Sequence, residues 1–217
     1  MNNLMDRLSR ITAVGALAPS LRAMVVAAAF NTRHRKVLWI VEDSEEMYQA
    51  KEDLLCFLEP AHIETFYHLD VRPYQDDSPS REVVAKRISV LHRMLTGDSL
   101  VVIAPFAALI PKVIAQDDLA GMVTRLDLDG EINREEFAQM LSLRGYTREA
   151  LIDDVGQFSM RGSVIDIFSP GMEDPVRLDL FGDTITSIKT FNLATQRSRK
   201  NISSALILPA SEILLDT

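Results

Sequence analysis

The stretch Gln157–Ser198, QFSMRGSVIDIFSPGMEDPVRLDLFGDTITSIKTFNLATQRS, decides how this chain reads. Within it, Val176-Arg177-Leu178-Asp179-Leu180-Phe181 alternates strictly between apolar and polar until its last residue. A period of two turns successive side chains to opposite faces of a strand. Val176, Leu178 and Leu180 therefore share one face, and Arg177, Asp179 and Phe181 the other. Gly182-Asp183 is a favoured two-residue hairpin turn and leads into a returning strand, Thr184–Phe191. The apolar alternation slips after Ile185, which leaves the register of that strand open. Two shorter strands precede the pair, Gln157–Met160 and Ser163–Phe168. An aromatic on a polar strand face, in line with an arginine, has two readings. A neighbouring loop covers it, or it belongs to a recognition surface, where Phe and Arg are enriched.

Upstream, the first ~118 residues alternate helical and strand patterns in the α/β manner. Leu21–Phe30 is Ala- and Val-rich and reads as a buried helix. Lys36–Val41 (KVLWIV) is a continuous apolar run, expected of a parallel strand covered on both faces. Asp43 or Ser44 caps the helix Glu45–Leu58, whose first-turn acids suit the helix dipole. Ile63–Tyr67 is a short strand. Ser78-Pro79 is a helix start signal, with Ser as cap and Pro at the first helical position, and Val83, Val84, Ile88 and Leu91 follow at helical spacing. Ser99–Ala104 is a second buried strand and Phe106–Ile114 a further helix. Texture changes near Asp117–Gly121. Beyond it come Met122–Leu128, a Gly130 turn, a helix Arg134–Leu143 and the run of short strands. Ala205–Leu208 and Ile213–Leu215 begin a return segment.

Composition narrows the function. A chain of 217 residues holds one or two domains, and 47% hydrophobic with 25% charged residues is ordinary for globular proteins. The net charge of −8 opposes a surface built mainly to neutralise phosphates. Residues 1–36 nevertheless hold six bases (Arg7, Arg10, Arg22, Arg33, Arg35, Lys36) against Asp6, while residues 42–80 hold eleven acids against Lys51 and Arg72. Cys56 is the only cysteine, so the chain has neither an internal disulfide nor a Cys-based zinc site. Its apolar surroundings, Leu54–Leu58, read as core, as do Trp39 and Phe57. No export signal and no membrane-length apolar run is present, so the chain reads as cytoplasmic. His34, His62, His68 and His92 are scattered without ligand spacing, and no nucleophile-elbow or zinc-protease motif occurs. Asp166 and Asp179 read as ion-pair partners for Arg161 or Arg177 rather than as an acid–base pair. No catalytic residue, metal or cofactor is expected.

Several ordered blocks carry a resemblance: Gly156-Gln157-Phe158, Arg161-Gly162, Asp166-Ile167-Phe168, Pro175–Phe181 and Thr195-Gln196-Arg197-Ser198. Together they resemble the module shared by bacterial transcription-repair coupling factors (Mfd) and the excinuclease protein UvrB, through which each binds a second excinuclease protein, UvrA. The first half is similar too, at Arg72-Pro73-Tyr74, Asp76, Ser78-Pro79 and Val102-Ile103-Ala104-Pro105. The resemblance implies a degenerate helicase-like (RecA-like) parallel-sheet α/β domain over residues 1–118. It further implies a smaller α+β domain with antiparallel strands over 119–204 that binds UvrA, and the start of a return segment over 205–217, truncated here. It places the UvrA contacts on Arg161, Arg177 and Phe181. It also implies a parent that is an ATP-dependent DNA translocase, with RNA polymerase and DNA engaged through parts outside this chain.

Two rival readings attach to particular motifs. An ATP-dependent repair protein of the UvrB kind needs a phosphate loop, Gly-x-x-x-x-Gly-Lys-Ser/Thr. Here the chain runs Gly15-Ala16-Leu17-Ala18-Pro19-Ser20-Leu21-Arg22. Ser20 replaces the second glycine, Leu21 the phosphate-binding lysine and Arg22 the magnesium-binding hydroxyl, so productive ATP binding is not expected. The departure matches the degenerate copy in coupling factors. A calcium-binding regulatory module is suggested by Arg125–Phe137, where Asp127, Asp129, Gly130, Ile132 and Glu136 fall on calcium-loop positions. Its first ligand position is Arg125, a cation. The segment reads instead as strand, Asp-Gly turn and a helix capped by Asn133, and Leu119–Thr124 reads as too β-prone for an entering helix.

Overall fold

The computed structural model describes residues 17–33, 36–69, 79–97 and 99–212 of the chain. It is a mixed α/β structure with parallel and antiparallel sheets, divided into two compact units. The first comprises residues up to His68 together with Arg93–Lys112, and the second Leu69–His92 with Val113 onward.

In the first unit, helix α1 (Pro19–Arg33) buries Ala23, Ala27 and Phe30, one stripe at helical spacing. Strand β1 (Val37–Val41) leads to helix α2 (Ser44–Leu55) and strand β2 (Ile63–Thr65). Strand β3 (Val101–Pro105) lies between β1 and β2, parallel to both, and all five of its residues are buried. Asp43 caps α2, its Oδ1 accepting from the Glu46 amide at 2.9 Å. Met47, Ala50 and Leu54 from α2 join Ile63, Val101 and Ile103 and the α1 stripe in one core.

Three expectations for this unit need correction. β1 is not covered on both faces: Leu38 and Ile40, which share one face, are half exposed, and among the described residues the strand stands at one edge of the sheet. Cys56 and Phe57 are exposed rather than core, because α2 ends at Leu55 and only Leu54 and Leu58 around them turn inward. Phe106–Ile114 forms only a 3₁₀ turn, Phe106–Leu109. Ile110 keeps helical backbone angles and is left exposed, but Pro111 after it has no amide to donate back into the turn, so the turn is not extended.

In the second unit, helix α3 (Arg81–Leu95) lies here for most of its length and is followed by helix α4 (Gln116–Met122), strand β4 (Thr124–Asp127) and helix α5 (Arg134–Leu143). The amide of Val84 donates to Ser80 O, so α3 starts two residues after Pro79; Ser78 lies outside the described residues. The buried face of α3 includes Arg87, which the apolar spacing alone did not single out. Its guanidinium is fully buried and donates twice to Glu212, at 2.5 and 3.1 Å. α4 contradicts the β-prone reading of Leu119–Thr124, since Asp117 and Asp118 stand in its first turn, where the helix dipole favours acids. The turn reading of the calcium-like segment agrees with the structure. Gly130 N donates to Asp127 O, Asn133 Oδ1 accepts from Glu136 N, and Arg125 pairs with Asp127.

Six strands then form one sheet: β5 (Thr147–Arg148), β6 (Gln157–Arg161), β7 (Val164–Ile167), β8 (Val176–Phe181), β9 (Thr184–Phe191) and β10 (Ser198–Asn201). Their spatial order is their chain order, and every pairing is antiparallel except β5 with β6. Strand β11 (Ser204–Ile207) pairs with β4. The inner sheet face, with Phe158, Ile165, Ile167, Val176, Leu178, Leu180, Ile185 and Ile188, packs with Phe137 and Leu141 of α5 and Ala205 and Ile207 of β11. The register of β9, left open by the sequence, is settled by a β-bulge. Asp179 faces Ser187 but Leu180 faces Ile185, so Thr186 is the extra residue, and its hydroxyl donates to Asp179 O at 3.0 Å. The β8–β9 turn uses Gly182 at φ 62°, a conformation that costs glycine nothing.

Tyr146 closes this core, its hydroxyl donating to Leu208 O at 2.5 Å. Burial pushes its pKa up, because ionisation there would strand a phenolate away from water. A folded-state pKa above the unfolded value of about 10 means stability is held below that pH and lost as pH rises through it. The melting temperature should therefore fall above about pH 10, and Tyr146→Phe should flatten that decline while losing about 1 kcal/mol of hydrogen bonding at neutral pH. Thermal melts of both proteins between neutral and alkaline pH check this.

Candidate functional site

The outer face of the six-stranded sheet collects the polar register positions. Asp166 of β7 faces Arg177 of β8 on one side and Ser159 of β6 on the other. Arg161 faces Val164, which in turn faces Asp179, so Arg161 stands level with the middle of β8, two strands away. Strand spacing puts it about 10 Å to the side, with Arg177 and Phe181 about 7 Å along β8 in opposite directions. The three residues marked by the resemblance thus occupy one face.

Their exposure differs sharply. Phe181 ends β8 opposite Thr184 and is 82% exposed, so no loop among the described residues covers it. Solvated aromatic area of this size contributes nothing to the core. The Arg161 side chain is 49% exposed and donates from Nη2 to Asp166 Oδ2 at 2.8 Å. Arg177 is only 19% exposed. Its Nε and Nη2 bind Asp166 at 2.6 and 2.9 Å, its Nη1 donates to Gln196 O at 3.3 Å, and its Cζ lies 4.5 Å from the Phe191 ring centroid. The Asp166 hydrogen bonds hold the guanidinium pKa above its ordinary value, outweighing the opposite effect of burial. Asp166 itself is fully buried, the shared counter-ion of two arginines.

The loop that covers part of this face lies at the other end from Phe181. Gln196, at φ 57°, turns back to donate to Leu193 O and Ile152 O, and its own carbonyl accepts from Arg177. Of the two aspartates read as partners for the arginines, Asp166 takes both. Asp179 pairs instead with Lys189 across the hairpin at 2.8 Å. Phe191, Gln196 and Lys189 were not picked out by sequence reasoning. The bulge hides the first and third from simple alternation, and nothing in the local sequence announces the second.

At the phosphate-loop remnant, Gly15 lies outside the described residues, while Ser20, Leu21 and Arg22 fall in the first turns of α1. Arg22 is already engaged. It pairs with Glu46 at 2.8 Å and donates to Leu17 O at 3.1 Å. The adjoining cavity, about 520 Å³, is lined by Arg22, Trp39, Asp43, Glu46, Tyr48 and Asp53. Its carboxylates oppose a polyphosphate. Among the described residues no group of three or more His, Cys, Asp or Glu is placed to hold a metal ion, and no helix is long and apolar enough to cross a membrane.

Comparison with known proteins gives the family to which the sheet belongs. Residues 124–213, which include the whole six-stranded sheet, match the family described as the UvrB interaction domain. The chain is a UvrB-homology module. It is similar to the transcription-repair-coupling factor of Staphylococcus aureus (strain bovine RF122 / ET3-1), 28% identical over 204 residues, covering 94% of this chain and 17% of that protein. To the transcription-repair-coupling factor of Myxococcus xanthus it is 34% identical over 147 residues, 67% of this chain and 12% of that protein. The module is therefore of the N-terminal kind found in transcription-repair coupling factors, and the chain spans less than a fifth of the length of these relatives.

Proposed function

We propose that this module recruits UvrA for transcription-coupled nucleotide excision repair and is itself non-catalytic. The observation that carries the reading is Phe181, 82% exposed on a rigid hairpin, with half-exposed Arg161 on the same sheet face. An exposed aromatic anchor beside a cation on a rigid hydrogen-bonded strand needs no ordering on binding, which favours a preformed interface. Residues 1–118, on this reading, form a degenerate helicase-like domain of RecA type. The parent protein is an ATP-dependent DNA translocase that meets RNA polymerase and DNA through other parts, in the cytoplasm. Isothermal titration of the purified chain with UvrA tests the reading, and the absence of saturable binding would overturn it.

The non-catalytic part has its own check. With Ser20, Leu21 and Arg22 in place of glycine, lysine and hydroxyl, and with Glu46 holding Arg22, magnesium-ATP should give no saturable heat and no hydrolysis. Saturable nucleotide binding that Gly15→Val abolishes would favour an active protein of the UvrB type instead.

A further inference from the structure

Arg177 and Arg161 look equivalent in sequence but are held differently. Arg177 is four-fifths buried, and its guanidinium is divided among Asp166, Gln196 O and the Phe191 ring. Little of it faces outward. Arg161 touches Asp166 through one terminal nitrogen only and keeps half its surface in solvent. Two guanidinium charges share one buried carboxylate, which leaves a single net positive charge on the cluster. The bidentate hold of Arg177 on Asp166 is what leaves Arg161 that loosely held. Without it, a fully buried carboxylate would keep one arginine as its whole counter-ion, because a buried charge demands a partner.

Building on the recruitment reading, we infer that Arg177 is a positioning residue rather than a contact: it saturates Asp166 so that Arg161 presents the cluster's net positive charge next to Phe181. The partner chemistry follows. It presents an apolar socket for a phenyl ring with a carboxylate on the order of 10 Å away, level with Arg161. The neighbouring Asp179–Lys189 pair is internally neutral and adds no net charge to this face.

The inference makes binding follow the net charge of three groups and not the presence of Arg177. Arg177→Met keeps an aliphatic stem over Phe191 but takes the cluster to zero, as does Arg161→Gln. Each should weaken UvrA binding on the order of tenfold and reduce its salt dependence. The double variant Asp166→Asn/Arg177→Met restores one net positive charge. It should bind within about threefold of wild type, with the wild-type salt dependence. A double variant as weak as Arg177→Met, with an unchanged melting temperature, would make Arg177 a direct contact and overturn the inference. Should the double variant fold poorly, Asp166→Asn alone decides. Raising the cluster by one charge should keep or tighten binding, and a tenfold loss in a protein that melts normally would refute it. Wild-type binding to UvrA separates these outcomes from failure of the recruitment reading, in which no variant would bind.

Discussion

Phe181→Ala should melt within about 2 °C of wild type yet lose at least ~2 kcal/mol of UvrA affinity, roughly thirtyfold. The ring is 82% exposed and packs into neither core cluster, so truncation leaves no cavity. Surface substitutions of that kind stay within about 0.5 kcal/mol of neutral. Its expected value lies wholly in the complex, where burying a phenyl ring in a fitted socket contributes about 1.5–3 kcal/mol. Differential scanning calorimetry beside titration calorimetry reads both quantities on one preparation. Unchanged melting with unchanged affinity would remove Phe181 from the interface, whereas a much lower melting temperature would return it to the core.

Phe158→Ala, the same chemical change some twenty residues upstream, should behave in the opposite way. Phe158 is fully buried on the inner face of β6 and packs among the residues of the sheet–helix core. Removing a buried phenyl loses its transfer free energy and leaves a cavity that close-packed neighbours only partly fill, about 3–5 kcal/mol in sum. For a chain of this length the loss corresponds to a fall in melting temperature on the order of 10 °C. UvrA affinity measured well below the new melting temperature should change little, because the outer face does not use this ring. An unshifted melting temperature would contradict the placement of β6. The two phenylalanines together test the face assignment of the sheet.

The strands of the candidate site were legible because their chemistry is local. Val176–Phe181 and Thr184–Phe191 emerge with the limits expected from alternation and from the Gly182-Asp183 turn, and Asn133 caps its helix as its position suggested. Exposure was harder to read. KVLWIV looked like a strand buried on both sides, yet an apolar run is silent about whether its strand is central or at an edge. Leu38 and Ile40 share one face of β1, an edge strand among the described residues, and both are half exposed. Cys56 and Phe57 misled similarly. Hydrophobicity over Leu54–Leu58 could not reveal that the helix stops at Leu55 and that only Leu54 and Leu58 of the five turn inward.

What the sequence by itself determined is the periodic part: which residues alternate, where glycine and aspartate turn the chain, and that Arg177 and Phe181 share a face. These follow from backbone geometry over a few residues. The division of labour within the site was decided only in three dimensions. The bulge at Thr186 sets which β9 residues stand behind β8, and the antiparallel register brings Asp166 under both Arg161 and Arg177. The loop around Gln196 closes over Arg177 while Phe181 stays open. Burial and charge pairing depend on neighbours distant in sequence, so two arginines that read alike along the chain become a counter-ion and an exposed charge in the fold.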